Sequence, residues 1–227
     1  MAAPPIPTMS GAEVIRSLDA LYPRIKTPLR HDDVFQLLIA TVLSAQSTDA
    51  QVNKITPILF KEYPTPQSMS KATVRSLERI VKSTGFFHVK ARRIKEISTT
   101  LVTKFGGSVP DSMDELLTLP GVGRKTANIV LSVGFEKIEG IAVDTHVFRL
   151  SRRIGLTSEK TPEKIEQDLM KITPKSEWPR LTLLLILHGR SVCFARNPQC
   201  FRCVLSKKCL YFNTEKKRIP NLPKGDP

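Results

Sequence analysis

The stretch "LPGVGRKTAN" (119–128) carries the first residues whose types and spacing suit chemistry. Gly121 and Gly123 permit positive φ and a close backbone approach. The pattern after them is helical, and free N–H groups at a helix N-terminus can hold a phosphate. The spacing fits a helix-hairpin-helix turn. It does not fit a P-loop, because the four-residue gap of G-x-x-x-x-G-K is missing. An ordinary helix–turn–helix corner is the structural alternative. Arg124 and Lys125 adjoin the turn, and they favour binding to a DNA backbone without need of a particular base sequence. Lys125 is then either one more positive charge for a phosphate or a reagent.

Asp144, nineteen residues after Lys125, lies in "VDTHVFRLSRRIG" (143–155). Asp144 precedes a helical stretch, so alone it reads best as an N-cap. His146 alone reads as a surface or core histidine. Pairing with Lys125 changes the balance. Attack on a deoxyribose C1′ needs an unprotonated amine as nucleophile. It also needs a carboxylate to assist deprotonation and to stabilise positive charge on the sugar. Partial burial and a helix N-terminus are expected to favour the neutral amine of Lys125.

All four cysteines lie within 17 residues: Cys193, Cys200, Cys203 and Cys209, spaced C-x6-C-x2-C-x5-C. Four sulfurs so close can surround one metal centre with little chain to order. Unrelated buried thiols are a poor alternative, since the rest of the chain has no cysteine. Tetrahedral zinc sites usually carry two short C-x2-4-C arms. Here a single C-x2-C sits between wider gaps, which suits a bulkier iron–sulfur centre and leaves zinc as the competitor. Arg190, Arg196, Arg202, Lys207 and Lys208 lie in or beside this loop. Fixed by thiolates, it can present arginines to phosphates, or it is a solvated basic loop.

Lys and Arg number 35 against 21 Asp and Glu in 227 residues, a net charge of +14. That balance favours a polyanionic partner, nucleic acid first and an anionic membrane second, although a solvated basic surface has the same composition. Two fifths of the residues are apolar, enough for a substantial core. The longest greasy run, "LTLLLIL" (181–187), is far short of the roughly 20 residues a spanning helix needs. The N-terminal "MAAPPIPTMSGAE" has neither the basic nor the apolar region of a signal peptide. An intracellular protein is expected, in cytoplasm, nucleoid or nucleus, and structural disulfides are not.

Helical spacing dominates the pattern that must position these groups. "VFQLLIATVLSA" (34–45) is long for a strand and right for a buried helix. Val74, Leu77 and Val81 share a face, as do Ile94, Ile97, Leu101 and Phe105. Ser112 and Glu115 fit a capping box. Thr161-Pro162 reads as an N-cap followed by proline at the first helical position, and Ile165, Leu169 and Ile172 follow as a stripe. "EWPRLTLLLILHGR" is expected to end a buried helix near Gly189. "IAV" (141–143) is the only strand-like piece. The expectation is an all-α protein with short linkers, in two lobes, and a loose polar tail "EKKRIPNLPKGDP".

Four pieces, in order, make the chain resemble the endonuclease III family of DNA glycosylases/AP lyases. They are "LSAQSTD" (43–49), "LPGVGRKTAN" (119–128), "VDTHVFR" (143–149), and the cysteine loop with "LHGR" just ahead of it. The resemblance implies a two-domain helix-hairpin-helix glycosylase fold. A six-helix barrel-like domain (28–138) carries the hairpin. A second domain (1–27 and 139–227) holds a [4Fe–4S] cluster in loop 193–209. Duplex DNA with a damaged base or abasic site binds at the cleft with the target base flipped out. Lys125 becomes the Schiff-base nucleophile and Asp144 its partner. Gln46 fills the gap left by the flipped nucleotide. Phe86, Phe87, Gly121, Gly123, Arg124, His146 and Arg196 are the further DNA-binding candidates, and Cys193, Cys200, Cys203 and Cys209 bind the cluster. Where bacterial members usually read Gly-Leu-Tyr before a lysine, this chain has "GFFHVK" (85–90). Phe86 is bulkier than the usual wedge leucine, and Phe87 lacks the tyrosine hydroxyl. No membrane partner is implied, and the chain is expected to act as a monomer.

The adenine-mismatch branch resembles the chain in hairpin and cluster. It typically lacks the lysine and carries a glutamate in the helix before the "AQ" pair, where this chain has Thr41 in "LLIATVLSAQ". Mismatch-specific thymine/uracil glycosylases generally replace the lysine too. A non-enzymatic DNA-binding protein with a redox-sensing cluster would need neither Lys125 nor Asp144.

Overall fold

The computed structural model describes residues 9–23 and 27–215, and among these it contains helices, turns and no strand. "IAV" (141–143) is extended chain without a sheet partner. Most of the polar tail, from residue 216, lies outside the described residues, as does the start of the N-terminal segment.

The chain opens with α1 (Gly11–Asp19). Residues 27–139 then form a compact unit of their own. They build α2 (Val34–Leu43), α3 (Asp49–Glu62), α4 (Pro66–Lys71), α5 (Val74–Val81), α6 (Phe87–Phe105), α7 (Met113–Leu117) and α8 (Arg124–Ile129). The described residues before that unit and those from Gly140 onward make the other. It contains α1, α9 (Thr145–Ile154), α10 (Pro162–Lys171), α11 (Trp178–Ser191) and α12 (Leu210–Glu215).

The central unit is organised by its greasiest helix. Asp33 caps α2 by accepting from Gln36 N at 2.8 Å, and Phe35 and every residue from Leu37 to Leu43 are buried. Leu77 and Val81 of α5 join this core, as do Ile94, Ile97 and Leu101 of α6. Full burial of each such side chain is worth about 1.5–3 kcal/mol. α6 starts and stops on left-handed residues, Phe86 at φ 58° and Gly106 at φ 62°. α8 runs on into a π-helical turn (Val130–Gly134). A side chain at Gly134 would press within 2.9 Å of Val34 Cγ1, so the glycine lets this turn pack tightly on α2.

The other unit packs amphipathic helices on α11. Val147, Leu150 and Ile154 of α9 and Leu181, Leu184 and Leu185 of α11 are all buried. Thr161 caps α10, with Pro162 in its first turn, as its sequence predicts. Two expectations change. Ser112 does cap α7, but the Glu115 carboxylate accepts from the Ser112 hydroxyl at 2.7 Å. The reciprocal bond to the Ser112 backbone N–H, which would complete a capping box, is not formed. α11 ends at Ser191, near Gly189 as expected, but the glycine lies inside the helix and does not cap it. Gly189 is a close-approach residue instead: a Cβ there would lie 2.7 Å from His146 Nδ1. No helix among the described residues is long and apolar enough to cross a membrane.

Candidate functional site

The hairpin is built by alternation. Leu119 and Val122 are buried, and Val122 N donates to Leu119 O at 3.1 Å. The apolar residues therefore anchor the turn, while Gly121 and Gly123 face outward. Gly121 sits at φ 74°, a conformation costly for any residue with a Cβ. Gly123 is the N-cap of α8, and no side chain caps that end. Arg124 and Lys125 occupy the first turn and are exposed. The expected partial burial of Lys125 is thus not met.

α6 gathers the other candidates of the central unit. Phe86, at its start, is 66% exposed. Its left-handed backbone throws the ring outward, whereas Phe87 turns in, packs half-buried on the core and lies 3.9 Å from the His88 ring. The two phenylalanines therefore differ: Phe86 alone presents a free aromatic face. Gln46 is exposed on the turn after α2, at φ 53°. Gly85 lies against it, since a Cβ there would be 3.6 Å from Gln46 O. One turn further along α6, Lys90 is buried and donates to Ser47 Oγ at 2.8 Å. Burial pushes its amine below the ordinary lysine range. Next, the Arg93 side chain packs under the hairpin, within 3 Å of where a Gly121 Cβ would be. One helix thus holds the Gln46 turn, the exposed Phe86 and the glycine hairpin in register. Sequence reasoning missed Lys90 and Arg93. Their one signal was two cations on a helix whose other face is apolar. Thr41, where a rival branch places its acid, is buried and donates back to Leu37 O at 2.7 Å.

In the other unit Asp144 caps α9. Its Oδ1 accepts from both His146 N and Val147 N at 2.8 Å. His146 is half-buried, and Arg149 Nη2 lies 3.1 Å from its Nδ1. Burial, with Arg149 and Arg190 nearby, holds its imidazole below the usual histidine range against the pull of Asp144. As an acceptor for Arg149, Nδ1 leaves the ring proton on Nε2. Arg149 also donates to Gly189 O at 3.0 Å and Cys193 O at 3.0 Å. One turn on, Arg153 donates to Phe194 O at 2.7 Å and Ala195 O at 2.9 Å. α9 therefore binds the cysteine loop through backbone carbonyls, and its first residue is capped by Asp144. The arginines are visible in "FRLSRR" at i, i+4, but their targets are some 40 residues away.

The loop brings its four sulfurs to one place. Cys193, Cys200, Cys203 and Cys209 all line a single cavity, with His188 and Leu205 among its other walls. Burial pushes the thiols of Cys200 and Cys209 up and that of Cys203 up to about 11. Nearby nitrogens approach the sulfurs: Arg153 Nη1 donates to Cys193 Sγ at 3.6 Å and His188 Nε2 lies 3.2 Å from Cys203 Sγ. No group of three or more His, Cys, Asp or Glu side chains among the described residues is placed to hold a single metal ion. Arg196 is exposed beside Asn197, whose φ of 49° turns the chain.

Residues 39–175 match the model of the HhH-GPD superfamily base excision DNA repair proteins. The chain is 47% identical to endonuclease III of Synechocystis sp. over 88% of its own length and 91% of that protein. It belongs to this superfamily, in the endonuclease III family. Endonuclease III of Thermotoga maritima is 43% identical over 90% of this chain and 94% of its own. A trapped endonuclease III–DNA covalent intermediate superimposes with a TM-score of 0.86 at 40% identity, covering 92% of this chain and 99% of that one. A thermostable thymine-DNA glycosylase shares the fold at a TM-score of 0.79 and 23% identity. As an endonuclease III family member the chain is a DNA glycosylase/AP lyase of base excision repair with the all-α helix-hairpin-helix fold.

Proposed function

We propose that this chain removes oxidised or ring-saturated pyrimidines from duplex DNA and then cleaves the abasic strand. The observation that carries this reading is Lys125, exposed at the tip of the glycine hairpin in a member of a glycosylase/lyase family. The Lys125 amine attacks C1′, the C1′–N bond breaks with its electron pair going to the base, and the two protons the nitrogen gives up pass to the departing base and to O4′ as the C1′–O4′ bond opens. A Schiff base to the opened sugar remains, and β-elimination expels the 3′ phosphate. Asp144 Oδ1 is engaged by two backbone N–H groups, so Oδ2 is the oxygen proposed to take a proton and balance charge on the sugar. Gly121, Gly123 and Arg124 present the hairpin to a phosphate. Gln46 and Phe86 fill the space of the flipped nucleotide, and Phe87 supports them from the core. His146 offers an Nε2 proton, and Arg196 takes a further phosphate. The chain acts as a monomer on duplex DNA with a damaged base or abasic site.

Damaged pyrimidines stack poorly, so flipping them costs less than flipping an intact base. Duplexes bearing thymine glycol, 8-oxoguanine opposite cytosine, and adenine opposite 8-oxoguanine test the specificity. Thymine glycol should be excised fastest, with strand cleavage. Preference for the adenine substrate would overturn the assignment, and the buried Thr41 speaks against it.

Cys193, Cys200, Cys203 and Cys209 are proposed to hold a [4Fe–4S] cluster. Four thiols lining one cavity, with the Arg153 guanidinium donating to Cys193 Sγ and the His188 ring beside Cys203, form a donor set suited to it. When bound, the cluster supplies a covalent cross-link that adds to the bonds from Arg149 and Arg153 and the short 3-10 turns that hold this loop. Natively purified protein should be yellow-brown with about four irons per chain. Cys203→Ala should lose the iron and show early proteolysis of the C-terminal lobe. Stoichiometric zinc without iron would refute the assignment.

A further inference from the structure

His188 is 1% exposed, and both of its ring nitrogens are engaged. Nε2 lies 3.2 Å from Cys203 Sγ, and Nδ1 lies 3.3 Å from the Tyr22 hydroxyl. The Tyr22 ring meets the imidazole edge-on, with centroids 6.3 Å apart. Its hydroxyl is 2.5 Å from Ser191 Oγ, at the end of the same helix and one turn after His188. These groups lie outside the excision chemistry, and 166 residues separate Tyr22 from His188.

We propose that Ser191, Tyr22 and His188 form a directional hydrogen-bond relay that turns an imidazole N–H onto the Cys203 sulfur and thereby sets the reduction potential of the cluster. The proposal rests on the [4Fe–4S] reading of the cysteine loop. Its logic is a count of protons. A ligating thiolate only accepts, so the donor at 3.2 Å has to be Nε2–H. A buried imidazole is neutral and has one ring proton. With that proton on Nε2, Nδ1 is an acceptor, and the only hydroxyl beside it among the described residues belongs to Tyr22. The Tyr22 proton is then spent on Nδ1, so its oxygen accepts from Ser191. Ser191 Oγ also lies 2.8 Å from Leu187 O, and its single proton cannot serve both. If it went to the carbonyl, Tyr22 would have to donate to Ser191 and Nδ1 would have to carry the ring proton, leaving nothing to donate to the sulfur. Only one proton order satisfies a thiolate, and the ligating sulfur selects it, drawing the Ser191 proton from Leu187 O to the Tyr22 oxygen. An N–H···S bond withdraws electron density from the sulfur and favours the more reduced cluster. His188 is a positioning residue in this scheme, acting on the cluster through its ligand.

The test uses the full-length native protein, His188→Phe and Tyr22→Phe. Iron is measured first, and cluster potentials are then read at an electrode. His188→Phe should lower the potential, shrinking the reduction equilibrium constant about tenfold, ~59 mV for a one-electron couple. Tyr22→Phe keeps the packing and loses only the relay, so it should shift the potential in the same direction by less. A solvent-exchangeable proton coupled to the cluster should be seen in the native protein and be lost in His188→Phe. An iron-replete His188→Phe at the native potential would overturn the proposal. If that variant does not load iron, Tyr22→Phe decides: a downward shift supports the relay, and an unchanged or raised potential sinks it. Native protein that contains no iron would instead overturn the cluster reading, and this proposal with it.

Discussion

Lys125→Gln should bind duplex DNA and abolish both base excision and strand cleavage, with a loss of turnover on the order of 10^4-fold or more, as expected when a covalent step is removed. The structure makes this a clean substitution. Lys125 is exposed in the first turn of α8, so glutamine disturbs no packing, and surface changes of this kind move stability by only about 0.5 kcal/mol. The hairpin is anchored by Leu119 and Val122, not by the lysine, and its backbone N–H groups still address a phosphate. If Lys125 were only a phosphate contact, the variant would lose affinity by an amount that added salt mimics in the native protein. Saturating protein would then restore turnover. Single-turnover excision of thymine glycol at saturation distinguishes the two. The native protein should also form a borohydride-stable adduct with abasic DNA, placed on Lys125 by mass spectrometry. Full excision by the variant at saturation would sink the mechanism.

Asp144→Asn should fold, bind DNA and excise about 10^2- to 10^4-fold more slowly, the range of a lost proton acceptor. Both hydrogen bonds that cap α9 fall on Oδ1, from His146 N and Val147 N at 2.8 Å. Asparagine keeps a carbonyl oxygen there and caps about as well as aspartate. What it loses is a second oxygen able to take a proton, together with the negative charge. The substitution therefore separates architecture from chemistry in one residue. Unchanged melting with slow excision is the expected pattern. Near-native excision would reduce Asp144 to a helix cap. Asp144→Ala is less informative, because it also costs about 1 kcal/mol of cap energy and so loosens the helix whose arginines hold the cysteine loop.

The sequence alone determined several features whose partners lie within a turn or two along the chain. Thr161 and Pro162 start α10, Asp144 starts α9, and the Gly-Val-Gly hairpin turns between α7 and α8, because caps and turns are satisfied by neighbours at i+2 to i+4. The apolar spacings of α2, α5 and α6 likewise marked the faces that became core, since burial follows the helical period. The ordered motifs were enough to indicate the family. The tertiary structure decided what those neighbours could not. It left Lys125 exposed where partial burial was expected, split Phe86 from Phe87 through one left-handed residue, and made Gly189 a contact for His146 in place of a helix stop. It tied Lys90 to Ser47 across 43 residues, Arg153 to Phe194 O and Ala195 O across 41 and 42, and Tyr22 to His188 across 166. Pairings of this kind leave no periodic mark on a single chain. A helix constrains which face a side chain occupies but not what comes to meet it, and that depends on how separate elements pack their apolar faces together.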